Sequence, residues 1–388
     1  MKLEIRHSCA EADSYRAASI KSLFNCQSGA NFSLDADLPF EDLDWKIGVI
    51  VGPSGSGKTS LGRAIFGPEA MYSPTCWRDD APIIDCINAE GSVDDVTAAL
   101  AAVGLGSVPT WLRPYSVLSN GEKFRADLAA VICNAPDRVV IDEFSSVVDR
   151  QIAQIGASAF QKAWRRTEGQ AVLLSCHYDI LDYVEADWVF DTQSGRFLAG
   201  REHWKRPKFE LQIEQVDGSY WPLFEPHHYL TLPRMVAARY FVAFVDGQPV
   251  AHVALSPRLE VEGVRACRMV VLPEWQGAGI GLRFLNAVLD NELAGKGRYG
   301  DRVKRAYFHT SHPGLNAALR RADGWEQIST RLYDADSPSP KRVKGTEICQ
   351  KERSGKSIRK AKGSVGSFAQ VGGYGGHYRA VTGWRRTK

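Results

Sequence analysis

The segment Gly48-Val-Ile-Val-Gly-Pro-Ser-Gly-Ser-Gly-Lys-Thr-Ser-Leu61 constrains this chain more than any other. An apolar strand over 47–51 feeds a glycine loop that closes on Lys58 and Thr59, and an apolar-periodic stretch with Leu61, Ala64 and Ile65 follows. The pattern G-x-x-x-x-G-K-[ST] runs through Gly52, Pro53, Ser54, Gly55, Ser56, Gly57, Lys58 and Thr59, with Ser60 behind it. Glycines let such a loop turn its backbone N–H groups inward onto a phosphate chain. The lysine reaches the β- and γ-phosphates, and the Thr59 hydroxyl is placed for Mg²⁺. A strand, a loop and then a helix is the context this motif needs, so the sequence predicts an α/β nucleotide-binding domain.

Downstream, Arg138-Val-Val-Ile-Asp-Glu-Phe144 is an apolar strand ending in two carboxylates. In a nucleotide-binding α/β fold, Asp142 would join Thr59 in holding Mg²⁺, and Glu143 would orient or deprotonate the attacking water. Between the two landmarks lies Leu118-Ser-Asn-Gly-Glu122, followed by Phe124, Leu128, Val131 and Ile132 at the spacing of a buried helix face. Ser119 and Gly121 therefore stand at a helix N-terminus, an anion-binding end.

In this order the residues resemble the ABC ATPase superfamily, whose signature L-S-G-G-Q is matched by Leu118, Ser119 and Gly121, with Asn120 and Glu122 departing from it. Ser145-Ser-Val-Val-Asp149 is similar to the family's D-loop, and Leu173-Leu-Ser-Cys-His177 to the strand that ends in its switch histidine. The resemblance implies that His177 contacts the γ-phosphate of ATP. It further implies that Ser119 and Gly121 complete the site of an opposite subunit, so one cassette per chain implies a head-to-tail homodimer through the ATPase domains. The family's coupling glutamine has no counterpart, since no glutamine lies between Lys58 and Leu118; Asp85 is the nearest candidate. Phe24 is the candidate for stacking on adenine.

Beyond Asp191, the polar stretch 192–207 with Gly195, Gly200 and several basic residues reads as a linker. Short apolar strands follow over 209–216, 240–245, 250–255 and 266–272, with Asp246-Gly247 as a hairpin turn. The last leads into Gln276-Gly-Ala-Gly-Ile-Gly281 and a helix with Leu282, Leu285, Val288 and Leu289, so a backbone cradle again meets a helix N-terminus. Successive strands, this loop and a helix resemble the GNAT acetyltransferases, whose corresponding loop holds the pyrophosphate of acetyl-CoA. By that resemblance Gln276, Gly277, Ala278, Gly279, Ile280 and Gly281 bind the cofactor. A strand over 305–309 and a helix over 316–325 continue it.

Many members of that family carry a tyrosine general acid in a Leu-Tyr pair before Gly-Phe; this chain has Leu319-Arg320 before Gly324-Trp325. A base must relieve an amine acceptor of its proton. His309, at a strand end, is the first candidate and Glu262 the second, with a purely structural role for His309 equally open. His227-His228-Tyr229 falls where these proteins build the acceptor pocket, and at least one of the pair is expected to be structural.

No apolar run approaches the roughly 20 residues a membrane span needs, so a cytoplasmic protein without a membrane partner is expected. Eight cysteines, scattered without a C-x-x-C pair, read as free thiols. The net charge of +3 hides a C-terminal stretch, 341–388, with 13 Lys+Arg against 2 Asp+Glu. The segment 334–363 reads as a mobile loop and 365–371 as a last strand. Residues 372–388, with Tyr378 and Trp384 among cations, read as a flexible basic tail for which nucleic acid is a candidate partner.

The expected fold is thus α/β, a P-loop NTPase of ABC type over 1–191, followed by an α+β GNAT-like acyltransferase domain over 208–371. The expected cofactors are ATP, Mg²⁺ and acetyl-CoA, and the acceptor is an amine of unknown identity. The alternative is a nucleic-acid-associated ATPase whose GNAT-fold domain binds or modifies nucleic acid.

Overall fold

The computed structural model describes the 388-residue chain except for residues 11, 25–30, 75–76, 206–208, 229–233, 236, 259–261, 298–303, 332–380 and 388. The chain forms two compact units. The first joins Met1–Ala89 to Pro114–Pro207, and the second joins Glu90–Arg113 to Lys208–Lys388. Among the described residues no helix is long and apolar enough to cross a membrane.

The first unit is built on a five-stranded sheet in the order β4-β5-β3-β6-β7. Its strands are β3 (Ile47–Val51), β4 (Arg138–Ile141), β5 (Gln170–Ser175), β6 (Trp188–Asp191) and β7 (Arg196–Ala199). All pair in parallel except β7, which returns antiparallel on β6. Every residue of β3 is buried, as expected of a central parallel strand covered on both faces. Gly48 is required there because a Cβ would lie 2.0 Å from the Trp188 ring, which fills that space and stacks on Phe40 at 5.1 Å. A two-stranded hairpin of β1 (Lys2–Ser8) and β2 (Asn31–Asp37) flanks α1 (Tyr15–Phe24) in sequence. The main helices are α2 (Lys58–Phe66), α6 (Asn120–Asn134) and α7 (Arg150–Trp164), with short α3 (Ile83–Cys86) and α8 (Leu181–Val184).

The expected linker at 192–207 is corrected by β7. Asp191 accepts hydrogen bonds from Gln193 N (2.9 Å) and Ser194 Oγ (2.7 Å), which closes a tight turn and sends 196–199 back along β6. That stretch therefore completes the first sheet.

The second unit carries a seven-stranded sheet ordered β13-β14-β12-β11-β10-β9-β8. These are β8 (Gln212–Val216), β9 (Arg239–Val245), β10 (Gln248–Arg258), β11 (Gly263–Val271), β12 (Arg305–Thr310), β13 (Trp325–Arg331) and β14 (Val381–Arg386). Among the described residues only the β11–β12 pair of this sheet is parallel, with α10 (Ile280–Leu293) as its crossover. The β9–β10 hairpin turns at Asp246 and Gly247, both at positive φ, the geometry its Asp-Gly sequence predicts. Short α9 (Trp221–Phe224) and α11 (Pro313–Arg321) belong to this unit, as do α4 (Val93–Ala102) and α5 (Val108–Trp111) from the middle of the first unit's sequence.

The C-terminus is the largest departure from expectation. Residues 381–386 are not a flexible tail but a strand between β12 and β13. Trp384 is buried and donates through Nε1 to Asn316 Oδ1 at 3.0 Å. Arg386 grips Asp290 with both Nε (2.9 Å) and Nη2 (3.1 Å), and Arg385 Nε reaches Glu326 at 3.1 Å. Aromatics among cations suggest a nucleic-acid surface, but here the indole fills the core and each guanidinium meets a carboxylate of its own sheet or helix. The expected loop at 334–363 and strand at 365–371 lie outside the described residues, as does Tyr378. Trp384→Ala should lower the stability of this unit by about 3–5 kcal/mol, measured by denaturant unfolding. An unchanged midpoint would return the segment to a tail.

Candidate functional site

In the first unit, the sheet order β4-β5-β3 with parallel strands brings three sequence landmarks to one edge, since all three strands end there. Gly52 N donates to Ser175 O at 3.2 Å, and Phe144 N donates to Leu174 O at 2.8 Å. The phosphate loop, the Asp142-Glu143 pair and His177 thus leave the sheet side by side.

The loop has the form an anion requires. Gly55 and Gly57 adopt φ of 77° and 86°, and a Cβ at Gly55 would meet only open space. At Gly57 a Cβ would come within 2.8 Å of the Phe32 ring, and at Gly52 within 2.0 Å of Thr192 Oγ1. Lys58 lies inside the loop, donating to the carbonyls of Gly52 (2.8 Å) and Pro53 (2.6 Å). An ammonium held by weak carbonyl acceptors at the mouth of α2 is poised for a stronger one, and a phosphate oxygen fits. Thr59 opens α2 beside it, half-buried, and Asp142 is half-buried at the end of β4, so both fit the Mg²⁺ role. Ser54 and Ser60 belong to the same loop and helix start, and Ser56 Oγ bonds Thr192 Oγ1 at 2.6 Å.

Glu143 is exposed and takes φ of 48°, while Asp142 Oδ1 accepts from its amide at 2.8 Å. This kink sets an exposed carboxylate directly after a half-buried one. Asp149 caps α7 by accepting from Gln151 N and Ile152 N. One residue on, Arg150 pairs with Asp179, just past His177. The segments around Asp149 and His177 are therefore tied together. Burial, and then the Arg150 charge, hold the His177 imidazole below its usual pKa, which keeps the ring neutral near pH 7.

Ser119 caps α6. Its Oγ accepts from Glu122 N (3.3 Å), and the Glu122 carboxylate accepts from Ser119 N (2.9 Å), a reciprocal capping box. Glu122, where the signature has glutamine, thus serves as the N3 partner of this box. A Cβ at Gly121 would press on Ile152 at 3.0 Å, so α6 and α7 approach closely there.

Two sequence assignments change. Asp85 sits exposed on α3, whereas the chain reaches the edge of β4 earlier, through the parallel Met71–Val140 bridge and Tyr72 N bonded to Val140 O at 2.8 Å. There Tyr72, Trp77 and Tyr115 all donate to the half-buried Asp127 carboxylate of α6, at 3.1, 2.8 and 2.8 Å. Burial raises the Asp127 pKa against the pull of these donors. The Phe24 side chain lies outside the described residues. Instead, Phe32 touches the loop at Gly57, His7 packs on Phe32 with ring centroids 6.2 Å apart, and His7 Nε2 meets Ser60 Oγ at 2.8 Å. This pair flanks the phosphate loop, and its separation in sequence hid it.

In the second unit a cleft of about 340 Å³ is lined by Met269–Val271, Trp275–Gly277, Gly279–Leu282 and residues of α11, with His227 and His312 also in the lining. Gly277 and Gly279 take φ of 93° and 80°, and a Cβ at Gly279 would meet open space, while Gly281 packs under Met269 and Val271. Ala278 and Ile280 are buried and anchor the loop, and Gln276 Nε2 donates to Val271 O at 2.9 Å. The backbone cradle at the start of α10 fits a pyrophosphate.

His309 is not among the described residues that wall this cleft. Its register partner is Gly383, where a Cβ would lie 3.3 Å from His309 Nε2. Strand alternation points it away from the face that Phe308 presents. Glu262 is exposed in the turn before β11, roughly 20 Å along the strand from Arg268. His227 lines the cleft, and His228 is buried against Trp221. Of the histidines that the sequence singles out, His227 lines the cleft, His228 packs against Trp221 and His309 lies outside the lining.

His252 was not foreseen. It is fully buried on β10 among Trp221, Phe224 and Tyr240 and bonds through Nδ1 to Arg268 O at 2.9 Å. Arg268, at φ 55°, lies in a β-bulge where the β10–β11 register shifts.

The cytochrome c biogenesis ATP-binding export protein CcmA of Pseudomonas putida is 30% identical over 184 residues, which cover 38% of this chain and 85% of that protein. The chain belongs to the ABC ATP-binding family. The zinc import ATP-binding protein ZnuC of Jannaschia sp. is 36% identical over 153 residues, 34% of this chain and 61% of its own length. A solved dimeric bacterial ABC transporter cassette aligns at 10% identity over 48% of this chain and 94% of that chain, with a TM-score of 0.34. The family description "Acetyltransferase (GNAT) domain" matches residues 237–319, from the start of β9 into α11. The protein is thus an ABC cassette fused to a GNAT domain.

Within the GNAT domain, burial lowers the His252 pKa to about 4. The unfolded chain takes up this proton below about pH 6.5, while the folded chain refuses it until about pH 4. Stability is therefore whole above the unfolded value and falls through that window by about 3 kcal/mol. Urea unfolding from pH 7 to pH 4 should show this loss, and His252→Gln should lack it; equal slopes for the two proteins would refute the assignment.

Proposed function

We propose that the chain is an ATP-hydrolysing ABC-type ATPase joined to a GNAT-type N-acyltransferase that uses acetyl-CoA. The observation that supports this reading is the pair of glycine cradles, each held at positive φ between a strand and a helix N-terminus, on two different folds. On the cassette, Lys58 and the loop amides would bind the phosphates of ATP, Thr59 and Asp142 would hold Mg²⁺, and Glu143 would take the proton of the attacking water. The metal, when bound, would supply charge neutralisation on the transferring phosphoryl group. His177, kept neutral, would donate to or orient the γ-phosphate.

Ser119 and Gly121 would meet the nucleotide of a second copy, giving a homodimer with two ATP molecules between the cassettes. Glu143→Gln should bind ATP without cleaving it and dimerise when ATP and Mg²⁺ are added, read by light scattering. A variant that stays monomeric at saturating ATP would defeat the dimer. Lys58→Ala should abolish nucleotide binding.

In the GNAT domain, the amine of the acceptor would attack the thioester carbonyl, forming the C–N bond as the C–S bond breaks, and coenzyme A would leave as a thiolate that must regain a proton. Arg320 stands where many relatives in that family have the tyrosine that supplies it, and Arg320 is exposed on α11. His227, exposed on the cleft wall, is better placed than His309 to take the amine's proton. Single-turnover mixing of acetyl-CoA with candidate amines should give acylated product, reduced about 10²-fold or more in His227→Ala and little changed in His309→Ala. The reverse ranking would restore His309 as the base.

A further inference from the structure

The cassette sequence is interrupted. After Ala89 the chain leaves the first unit, and it returns at Pro114, five residues before Ser119. The excursion, α4, the turn 103–107 and α5, forms one wall of the acyl-CoA cleft, contributing Ala101, Ala102, Gly104 and Gly106 to its lining.

Its fit to the cradle is close and polar. Gly106 N–H donates to Gln276 Oε1 at 2.9 Å, while the same amide's Nε2 donates to Val271 O at 2.9 Å. The Gln276 side chain is thus clamped between strand β11 and the excursion. His312 donates from Nε2 to Gly106 O at 2.9 Å and accepts at Nδ1 from Leu315 N at 3.4 Å, the N-cap bond of α11. Only a neutral ring can make both bonds, and burial lowers the His312 pKa accordingly. Trp111 packs edge-on against that ring at 5.6 Å and donates to Leu105 O at 2.6 Å, which fixes the turn.

Glycine is needed where the backbones meet. Gly104 takes φ of 82°, and a Cβ there would lie 2.2 Å from Gln276 O; one at Gly314 would lie 2.5 Å from Ala101 Cβ. Residues from the cassette sequence are therefore built into the phosphate cradle of the other fold, not laid over it.

We propose that the 90–113 excursion is a latch by which nucleotide on the cassette regulates acyl-CoA binding in the GNAT cleft. This rests on the reading of the two cradles as ATP and acyl-CoA sites. The short stem from Pro114 to Ser119 is tied to α6 through Tyr115 and Asp127. When Ser119 engages nucleotide on a second copy, the stem passes the displacement of α6 to Gly106 and so to Gln276. Because the coupling is a free energy shared between sites, acetyl-CoA must change nucleotide affinity by the same factor.

The test is calorimetric titration of acetyl-CoA into the full chain, alone and with a non-hydrolysable ATP analogue plus Mg²⁺. The Kd for acetyl-CoA should shift by about fivefold or more, a typical coupling. His312→Ala, which releases Gly106, should bring the two Kd values together. Hydrogen exchange of the unaltered chain supplies a reading that needs no variant: the analogue should change protection across 98–113. Equal Kd values with and without analogue, or unchanged exchange over 98–113, overturn the latch while leaving the acyltransferase reading intact. Absence of acetyl-CoA binding under every condition overturns both.

Discussion

Main-chain N–H groups converge on one point most readily where the backbone turns through positive φ next to a helix N-terminus, and one such turn organises each of this protein's two units. Gly55 and Gly57 form the first before α2, and Gly277 and Gly279 form the second before α10. Each turn must be held rigid from below, or the amides would not converge. Under the first loop, Thr192 and Phe32 fill the space that side chains at Gly52 and Gly57 would need. Under the second, Met269 and Val271 press on Gly281. The two sites thus share a physical solution on unrelated sheets, one mostly parallel and one mostly antiparallel.

The cassette site was largely legible because its parts are local. A strand, a glycine loop and a lysine are contiguous, and the carboxylates of Asp142 and Glu143 directly follow their strand. Parallel pairing then brings separate strand ends together without further specification. Its less legible parts depend on contacts between distant segments. His7 and Phe32 reach the loop from a hairpin whose strands are separated by α1, and Asp127 gathers donors from three separate places.

In the second unit, legibility failed for a different reason. Residues 381–386 carry Arg385 and Arg386 beside Trp384, and a short charged strand has no internal sign that its partners lie far upstream. Period-two alternation is weak over six residues, and cations signal solvent unless their carboxylates are known. The excursion at 90–113 fails similarly: α4 is an ordinary amphipathic helix whose sequence does not say which core it serves. His309 stands at a strand end in sequence, but which face a strand residue occupies follows from alternation and pairing, and the partner strand β14 lies far downstream.

The cleft itself follows from a defect in the sheet. Parallel pairing between β11 and β12 covers Gly263–Ala266 against Arg305–Phe308 and stops just before Arg268. At that residue the chain adopts φ of 55°, a conformation that costs a non-glycine residue about 1 kcal/mol or more. An extra residue in β11 opposite β10 bends the strand, and among the described residues its pairing with β12 does not continue past Ala266, so Met269–Val271 at its carboxyl end are left to line the cleft. The bulge needs support, and His252 provides it by donating to the Arg268 carbonyl from a fully buried site. A neutral imidazole can do this in an aromatic surround, whereas a charged one would be destabilised by its burial. The histidine is therefore kept uncharged by the same core that backs the bulge, which makes the local bend of β11 and the protonation of His252 a single constraint.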